Sequence, residues 1–137
     1  MNILICPDKF KGSLSAREAA EALAKGILNK RKKSSIQCIP LADGGEGTLE
    51  VVQQMHGGQW VSVHVNDPLF RPIEASYLWL ADQKTAYIEM ARASGLQLLS
   101  KKEQNPLKTS TLGTGELIRH AAEAGASTIV LTIGGSA

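Results

Sequence analysis

The sequence has little of what nucleic-acid-binding and membrane proteins need. Aromatic residues make up 4% of its 137 residues and the formal net charge is only +2. The chain therefore lacks the stacking side chains and the basic field that usually bind nucleic acid. No apolar run approaches the length of a membrane span. The apolar run Ile3–Ile5 ends at Pro7 and Asp8, so we expect no secretory signal there. We expect a cytoplasmic globular protein that binds neither nucleic acid nor membranes.

Cysteine and paired metal ligands are also scarce. The two cysteines, Cys6 and Cys38, each lie in an apolar strand-like run without redox or metal-ligand spacing. The three histidines, His56, His64 and His120, fall on different predicted elements and form no ligand pair. We therefore expect buried, reduced cysteines and no histidine-based metal site.

A strand–helix rhythm is present at the start of the chain. Residues 2–6 form a predicted strand, and the next helix has apolar positions running from Ala16 to Leu28 at helical spacing. Ser15 and Glu18 have the spacing of a capping box at its start. A second strand at residues 36–39 and a helix containing Leu49 complete a Rossmann-like βαβα start, which predicts a parallel strand pair with a right-handed crossover.

The middle of the chain changes to a period of two, which predicts antiparallel strands. A short helical piece, a polar linker, a helix at about residues 113–124 and a strand at residues 128–133 follow. The predicted fold is α/β, with a parallel start and a mixed segment. We expect residues 1–65 to be the N-terminal part of a Rossmann-like domain and residues 66–137 to begin a second α/β domain.

The segment Pro40–Thr48 places two carboxylates and three glycines between a predicted strand and a helix. Asp43 and Glu46 fit an N-cap and its capping-box partner, which would explain both acids. The glycines need another reason, because each costs roughly 0.5–1 kcal/mol against alanine within a helix. A bare turn allows an anion to approach unpaired N–H groups at a helix N-terminus. We favour an anion-binding turn over a simple cap.

Two other polar segments are candidates for chemistry. The loop Pro7–Leu14 carries Asp8, Lys11 and Ser13 after the first strand, where lysines bind phosphate or carboxylate groups. It lacks the upstream glycine of a phosphate loop, and a solvated loop is an equal alternative. The segment Asn105–Glu116 has glycines that open a helix, but they do not extend to a dinucleotide fingerprint, and a Ser/Thr-rich helix entry competes.

The last four residues, Gly134–Ala137, leave a strand-like run in the manner of a phosphate-binding loop. A loop without a following helix does not complete such a site. From spacing alone, a frayed terminus on an edge strand is the favoured interpretation.

Six segments spread over the whole chain form a recognisable set. They are Pro7-Asp8-x-Phe10-Lys11-x-Ser13-Leu14-Ser15, Leu41–Thr48, Lys84-Thr85-Ala86-x-Ile88-Glu89-Met90-Ala91-x-Ala93-Ser94-Gly95-Leu96, Asn105–Thr109, Gly113–Ile118 and Ile133–Ala137. In order and spacing they resemble the bacterial glycerate kinase family, and their number makes the resemblance specific.

The resemblance implies transfer of a phosphoryl group from ATP to a hydroxyl of D-glycerate, with Mg²⁺, in a two-domain α/β enzyme. Members are mostly described as making 2-phosphoglycerate. Phosphoryl transfer needs cations and N–H groups for the phosphates, carboxylates for the metal and an acid to take the hydroxyl proton. The implied catalytic residues are Asp43 (metal ligand or general base), Lys11 (phosphate or carboxylate binding) and Asp8. The implied substrate- and phosphate-binding residues are Ser13, Gly44, Gly45, Glu46, Gly47, Thr114, Gly115, Gly134, Gly135 and Ser136.

Departures from the family pattern accompany the matches. Members are far longer and continue after Ile-Gly-Gly-Ser-Ala with Thr-Asn-Asp-Gly-Gly, whose acid is a rival to Asp43 as general base. Lys9 stands where Ser is frequent, and Arg92 replaces a usual small residue. We expect an incomplete two-domain fold that is inactive alone and prone to self-association through exposed sheet edges. A non-catalytic remnant and an α/β anion-binding module unrelated to kinases are the alternatives.

Overall fold

The computed structural model describes residues 1–10 and 12–137, so the predicted site residue Lys11 lies outside the described residues. The chain divides into two compact units, Met1–Asp43 and Gly44–Ala137. The domain boundary expected between residues 65 and 66 stays a prediction, but the compact units divide elsewhere. The physical reason is that residues 59–66 form a strand paired along its whole length with the next strand.

The first unit contains two parallel strands and one helix. These are β1 (Asn2–Ile5), α1 (Ala16–Lys30) and β2 (Ser35–Cys38). Asn2 is opposite Ser35, and the register continues to Ile5 opposite Cys38, which confirms the predicted parallel pair. The predicted capping box of α1 is also present: the Ser15 hydroxyl accepts from the Glu18 N–H, and the Glu18 side chain accepts from the Ser15 N–H.

Helix α1 buries fewer of its apolar side chains than the sequence predicts. Ala16, Ala19 and Ala20 are buried, whereas Leu23 and Leu28 are 50% and 39% exposed. The small alanines occur in the first turns of α1, and the long side chains that follow remain largely on the surface. The prediction of buried cysteines is wrong, because Cys6 and Cys38 are both exposed at the ends of a sheet of only two strands.

The second unit is a four-stranded mixed sheet with helices. Its elements are α2 (Thr48–His56), β3 (Gln59–Asn66), β4 (Pro72–Leu80), a 3-10 turn (Ala81–Gln83), β5 (Thr85–Glu89), α3 (Ala91–Ser94), a second 3-10 turn (Leu96–Leu98), α4 (Leu112–Glu123) and β6 (Thr128–Thr132). The sheet order is β3-β4-β5-β6, with two antiparallel pairs followed by a parallel pair between β5 and β6. This arrangement confirms the α/β class and the antiparallel middle strands.

Both faces of this sheet carry apolar contacts. Ala75 and Tyr77 of β4 join Leu117 of α4 in the larger buried cluster. Leu78 of β4 joins Leu49 of α2 in a second cluster, since successive strand residues point to opposite faces. The helix that the sequence assigned to the Rossmann-like start therefore packs on the sheet of the second unit. No helix among the described residues is long and apolar enough to cross a membrane.

The start of α2 differs from the sequence prediction. The helix begins at Thr48, with Gly47 as its N-cap at a φ of 88° and no side-chain cap. The capping-box interpretation of Asp43 and Glu46 is therefore wrong, because both residues precede the helix. The glycines are likewise in the turn that leads to α2 rather than at its first helical positions.

Candidate functional site

The candidate site lies in the second unit, at the carboxyl ends of the parallel strands β5 and β6. Glu89 is the last residue of β5 and is opposite Thr132, the last residue of β6. Ligands of α/β proteins bind characteristically outside the carboxyl ends of parallel strands. Two glycine segments reach this edge: the turn before α2, residues 44–47, and the segment after β6, residues 134–136.

These two glycine segments approach each other through their backbones. A Cβ built on Gly134 would lie 2.7 Å from Cα and 2.8 Å from N of Gly45, and one on Gly44 would lie 3.3 Å from the carbonyl oxygen of Ile133. Real Cβ atoms essentially never come within 3.0 Å of such atoms, so residue 134 must be glycine for this contact to form. The structure thus brings Gly134 next to Gly44 and Gly45, although Gly134 lies about 90 residues further along the chain.

Two other glycines of the segments have open surroundings. Gly47 has a φ of 88° and Gly135 a φ of 64°, and no heavy atom lies within 4 Å of a Cβ built on either. Left-handed backbone favours glycine at both positions. The open space beside them allows a ligand to approach the main chain closely.

The C-terminal segment is held by the main chain, so the frayed-terminus interpretation is wrong. The N–H of Leu96 donates to the carbonyl of Gly135 at 2.8 Å, and the N–H of Ala137 donates to the carbonyl of Ser94 at 3.1 Å. Ser136 forms an isolated bridge with Gly95. The edge-strand expectation holds, because β6 is the last strand of the sheet.

A buried carboxylate, Glu89, lies beneath the glycine turn. It is 1% exposed, and one of its oxygens accepts the N–H of Leu49 at 3.2 Å. Burial raises the pKa of Glu89, and hydrogen bonds from the N–H groups of Leu49 and Gly47 together with the charge of Arg92 oppose that rise without cancelling it. The sequence predicts that unpaired N–H groups at this helix N-terminus are available to an anion, but those of Gly47 and Leu49 are bonded to a side chain of the protein.

Arg92 links Glu89 to the surface. Its Nε lies 3.9 Å from Oε1 of Glu89, its Nη2 donates to Glu50, and its Nη1 donates to the Ser76 hydroxyl at 3.1 Å. The guanidinium stacks over the Trp60 ring at 4.5 Å from the centroid, a geometry that favours a cation. Arg92, which stands where the family usually has a small residue, is therefore surrounded by three polar side chains and one aromatic ring.

Sequence reasoning quoted Glu89 only as part of a motif and assigned it no role. The available signal was a carboxylate within the otherwise uncharged run Thr85–Met90. Acidic side chains are almost never fully buried without partners, so this charge marked either an exposed strand end or a bonded site. Only the position of α2 decides between these two possibilities, because the N–H groups at its start bond to Glu89 and bury it.

The residues predicted to bind nucleotide phosphate on α4 are placed differently from those on the glycine segments. Thr114 is 4% exposed, and its hydroxyl lies 2.7 Å from that of Ser94, which is also buried. A Cβ on Gly113 would lie 1.9 Å from the carbonyl oxygen of Asn66, so this glycine is required for helix packing. Gly115 is exposed with open space around it.

The predicted residues of the first unit are on its surface. Asp8 is exposed and accepts the N–H of Lys9 at 2.7 Å, and Ser13 is exposed in a turn where its N–H donates to the carbonyl of Phe10. Asp43, the last residue of that unit, is exposed, as is Glu46 in the second unit. Within residues 1–10 and 12–137, no group of three His, Cys, Asp or Glu side chains is arranged to hold a metal ion.

Comparisons with known proteins agree on one family. The sequence profile of the glycerate kinase family matches residues 3–137. The chain is 46% identical to the glycerate kinase of Bacillus subtilis (strain 168) and 45% identical to the glycerate 2-kinase of Escherichia coli (strain K12), each over all of this chain and 36% of the relative. The crystal structure of a protein named glycerate kinase 2 from Salmonella typhimurium LT2 matches with a TM-score of 0.75 and 46% identity, over 99% of this chain and 36% of that one. The chain thus spans about a third of the length of these relatives. It belongs to the glycerate kinase family.

Proposed function

We propose that this chain supplies the N-terminal part of a site that transfers the γ-phosphoryl group of ATP to a hydroxyl of D-glycerate and forms 2-phosphoglycerate in the cytoplasm. The observation that carries the proposal is the backbone contact between Gly134 and the Gly44–Gly45 turn at the carboxyl ends of β5 and β6. Both glycine segments belong to motifs that resemble the family, and they are adjacent in space.

The glycine segments fit the phosphate groups of a nucleotide. Phosphates bind to main-chain N–H groups where side chains do not obstruct their approach. Gly135 offers open space where a Cβ would be and has the left-handed backbone typical of anion-binding turns. Gly47 shares both properties, but its N–H already donates to Glu89, so it offers a phosphate space rather than a donor. Among the predicted phosphate ligands, Gly134, Gly135 and Ser136 are better placed for this role than Thr114, whose hydroxyl is buried against Ser94.

In the proposed reaction, a hydroxyl oxygen of D-glycerate attacks the γ-phosphorus of ATP. The bond between that phosphorus and the bridging oxygen breaks, ADP leaves, and the hydroxyl proton passes to a carboxylate. Asp43 is our candidate for this base, and Lys11, with Asp8 and Ser13 in its loop, is our candidate for binding the glycerate carboxylate or a phosphate. Catalysis here consists mainly of positioning and charge stabilisation.

Mg²⁺ would neutralise charge on the phosphates of the bound nucleotide. The ion is often bound by one or two carboxylates plus substrate phosphates rather than by a full protein cage. The lack of a three-ligand cluster in the described part of the chain is compatible with that mode. Asp43 is the candidate for such a ligand if it binds the metal instead of acting as the base.

The decisive experiment places this chain in a full-length context. In a chimera, residues 1–137 replace the matching N-terminal third of the E. coli relative, and ADP release is measured with ATP, Mg²⁺ and D-glycerate. We expect turnover that depends on D-glycerate, and no turnover from the 137-residue chain alone. A folded chimera that releases no ADP would contradict the proposal and favour a non-catalytic remnant.

The role of Asp43 is tested in the same chimera. Because a positioned acid or base contributes roughly 10²–10⁴-fold to rate, Asp43→Asn should lower turnover by orders of magnitude. Asp82→Asn is the matched control, since Asp82 is exposed in the 3-10 turn after β4. Both variants should unfold at nearly the temperature of the unsubstituted chimera. Near-normal turnover of the Asp43→Asn variant would remove Asp43 from the catalytic residues.

A further inference from the structure

The start of α2 lacks a side-chain cap of its own. Its N-cap is Gly47, and a glycine cannot supply the oxygen that Ser, Thr, Asp or Asn would offer to the first N–H groups. The side chain of Glu89 reaches these donors from β5, 40 residues away, and accepts from Leu49. Glu89 therefore acts as a tertiary cap on a helix whose entry turn is rich in glycine.

We propose that Glu89 is a positioning residue of the site, whose buried carboxylate holds the Gly44–Gly47 turn in the conformation that receives a phosphate group. The phosphate part of this inference rests on the proposed function, whereas the positioning of the turn rests on the contacts alone. Glu89 touches the helix start and acts on a ligand only through the turn.

The turn needs an external support because of its composition. Gly44 and Gly47 have φ values of 93° and 88°, and free glycines populate many other conformations. The Thr48 hydroxyl and N–H donate to the carbonyl of Gly45 at 2.6 and 3.2 Å, which fixes the local bend. Glu89 is the last residue of β5 and pairs with Thr132 of β6, so its carboxylate links the turn to the sheet.

The charges around Glu89 come from two helices. Glu50 on α2 opposes ionisation of the carboxyl, while Arg92 after β5 favours it. Arg92 is itself fixed by Glu50, by the hydroxyl of Ser76 and by stacking on Trp60. Thr132, opposite Glu89 on β6, has a buried hydroxyl oxygen without a hydrogen-bond partner in the described structure. The positive end of α2 adds a further attraction for a carboxylate.

The test uses the 137-residue chain, labelled for backbone amide NMR, and compares it with Glu89→Gln. Glutamine keeps the size of the side chain and one acceptor oxygen but removes the charge. Glu50→Gln is the matched control. Glu50 is exposed and also pairs with Arg92, but its carboxylate is not the one that accepts from the N–H of Leu49. Amides of β5 and β6 report whether each variant is folded.

In the native chain, the amide shifts of Gly47 and Leu49 should titrate together, with a midpoint above the ordinary range of a glutamate carboxyl. Glu89→Gln should abolish this titration, shift the amides of residues 44–49 and speed their hydrogen exchange about tenfold or more. Glu50→Gln should leave the titration of the turn in place. A purely structural contribution to core packing would not produce a titration confined to these amides.

ATP is then added to each chain as a probe. We expect it to perturb the glycine amides of the native chain and to bind the Glu89→Gln variant about tenfold more weakly or worse. Unchanged turn amides in Glu89→Gln, or equal changes in Glu50→Gln, would overturn the positioning role. If the turn depends on Glu89 but ATP perturbs none of its amides, the proposed phosphate ligand fails and the positioning role does not.

Discussion

Gly113 and Gly115 lie two residues apart in the first turn of α4, and a methyl group would meet different surroundings at each. A Cβ on Gly113 would lie 1.9 Å from the carbonyl oxygen of Asn66, whose main chain is also held by Glu116 through a 2.7 Å hydrogen bond. A Cβ on Gly115 would have no neighbour within 4 Å. The sequence presents the two residues as one glycine motif, but only the first is required by packing.

We therefore expect opposite effects of alanine at these two positions. Gly113→Ala should lower the free energy of unfolding by about 1–3 kcal/mol or more, because α4 must move away from β3. Gly115→Ala should be neutral or stabilising by up to about 1 kcal/mol, since alanine has the higher helix propensity. Urea unfolding measures both, and equal destabilisation by the two variants would refute the packing explanation for Gly113.

At the scale of an element, helix α1 is defined at its start by a reciprocal cap. The Ser15 hydroxyl accepts from the N–H of Glu18 at 3.2 Å, and the Glu18 carboxylate accepts from the N–H of Ser15 at 2.8 Å. Ser15→Ala should cost about 0.5–2 kcal/mol of stability in the first unit. The comparison is Arg17→Ala, which removes an exposed pair with Glu21 in the same helix and should cost much less, because exposed ion pairs contribute little to stability. Thermal unfolding followed by circular dichroism measures both variants. Equal losses of stability in Ser15→Ala and Arg17→Ala would contradict the capping role of Ser15.

The hairpin between β3 and β4 depends on Asp67. Its buried carboxylate accepts the N–H groups of Leu69 and Arg71 at 2.8 and 2.9 Å and the Nε of Arg71 at 2.5 Å. Burial by itself would raise the pKa of Asp67, but these hydrogen bonds and the charge of Arg71 outweigh it and hold the pKa below its usual value.

A lowered pKa makes the contribution of Asp67 dependent on pH. The stabilisation is present above the pKa of the unfolded chain, about 3.9, and is lost as pH falls through the lower folded value. The free energy of unfolding should therefore decline on acidification from about pH 5. In Asp67→Asn the hairpin should be weaker at pH 7 and this decline shallower. Urea unfolding across that pH range tests the prediction, with Asp82→Asn as the control. If the free energy of unfolding changed with pH equally in the native and Asp67→Asn chains, the prediction would be wrong.

At the scale of the whole molecule, the two compact units have unequal means of stabilisation. The first has 43 residues and two paired strands, and the buried apolar residues among those of the unit that the structure describes are Ile5 and three alanines. The second has a four-stranded sheet with apolar clusters on both faces. Domains of about 40 residues are marginal without additional supports, and a two-stranded sheet is weaker than a larger one.

Native-state hydrogen exchange should reflect this difference. We expect the amides of β1 and α1 to open at much lower free energy than those of β5, which pairs with β4 and β6 and contains the fully buried Ala86 and Ile88. The amides of β5 should approach the global free energy of unfolding. Equal protection of the two units would indicate one cooperative unit and contradict the expectation.

The sequence by itself determined the order and type of most elements, the parallel first pair, the cap of α1 and the family, because periodicity, capping residues and motifs are local properties of the chain. The tertiary structure decided which unit receives α2, that Glu89 rather than Asp43 or Glu46 caps it, and that Gly134 meets the Gly44–Gly45 turn. These outcomes rest on contacts between residues far apart in the chain: Leu49 with Leu78, Leu49 with Glu89, and Gly134 with Gly45. A single sequence carries no direct signal for such contacts, because they depend on how strands and helices pack.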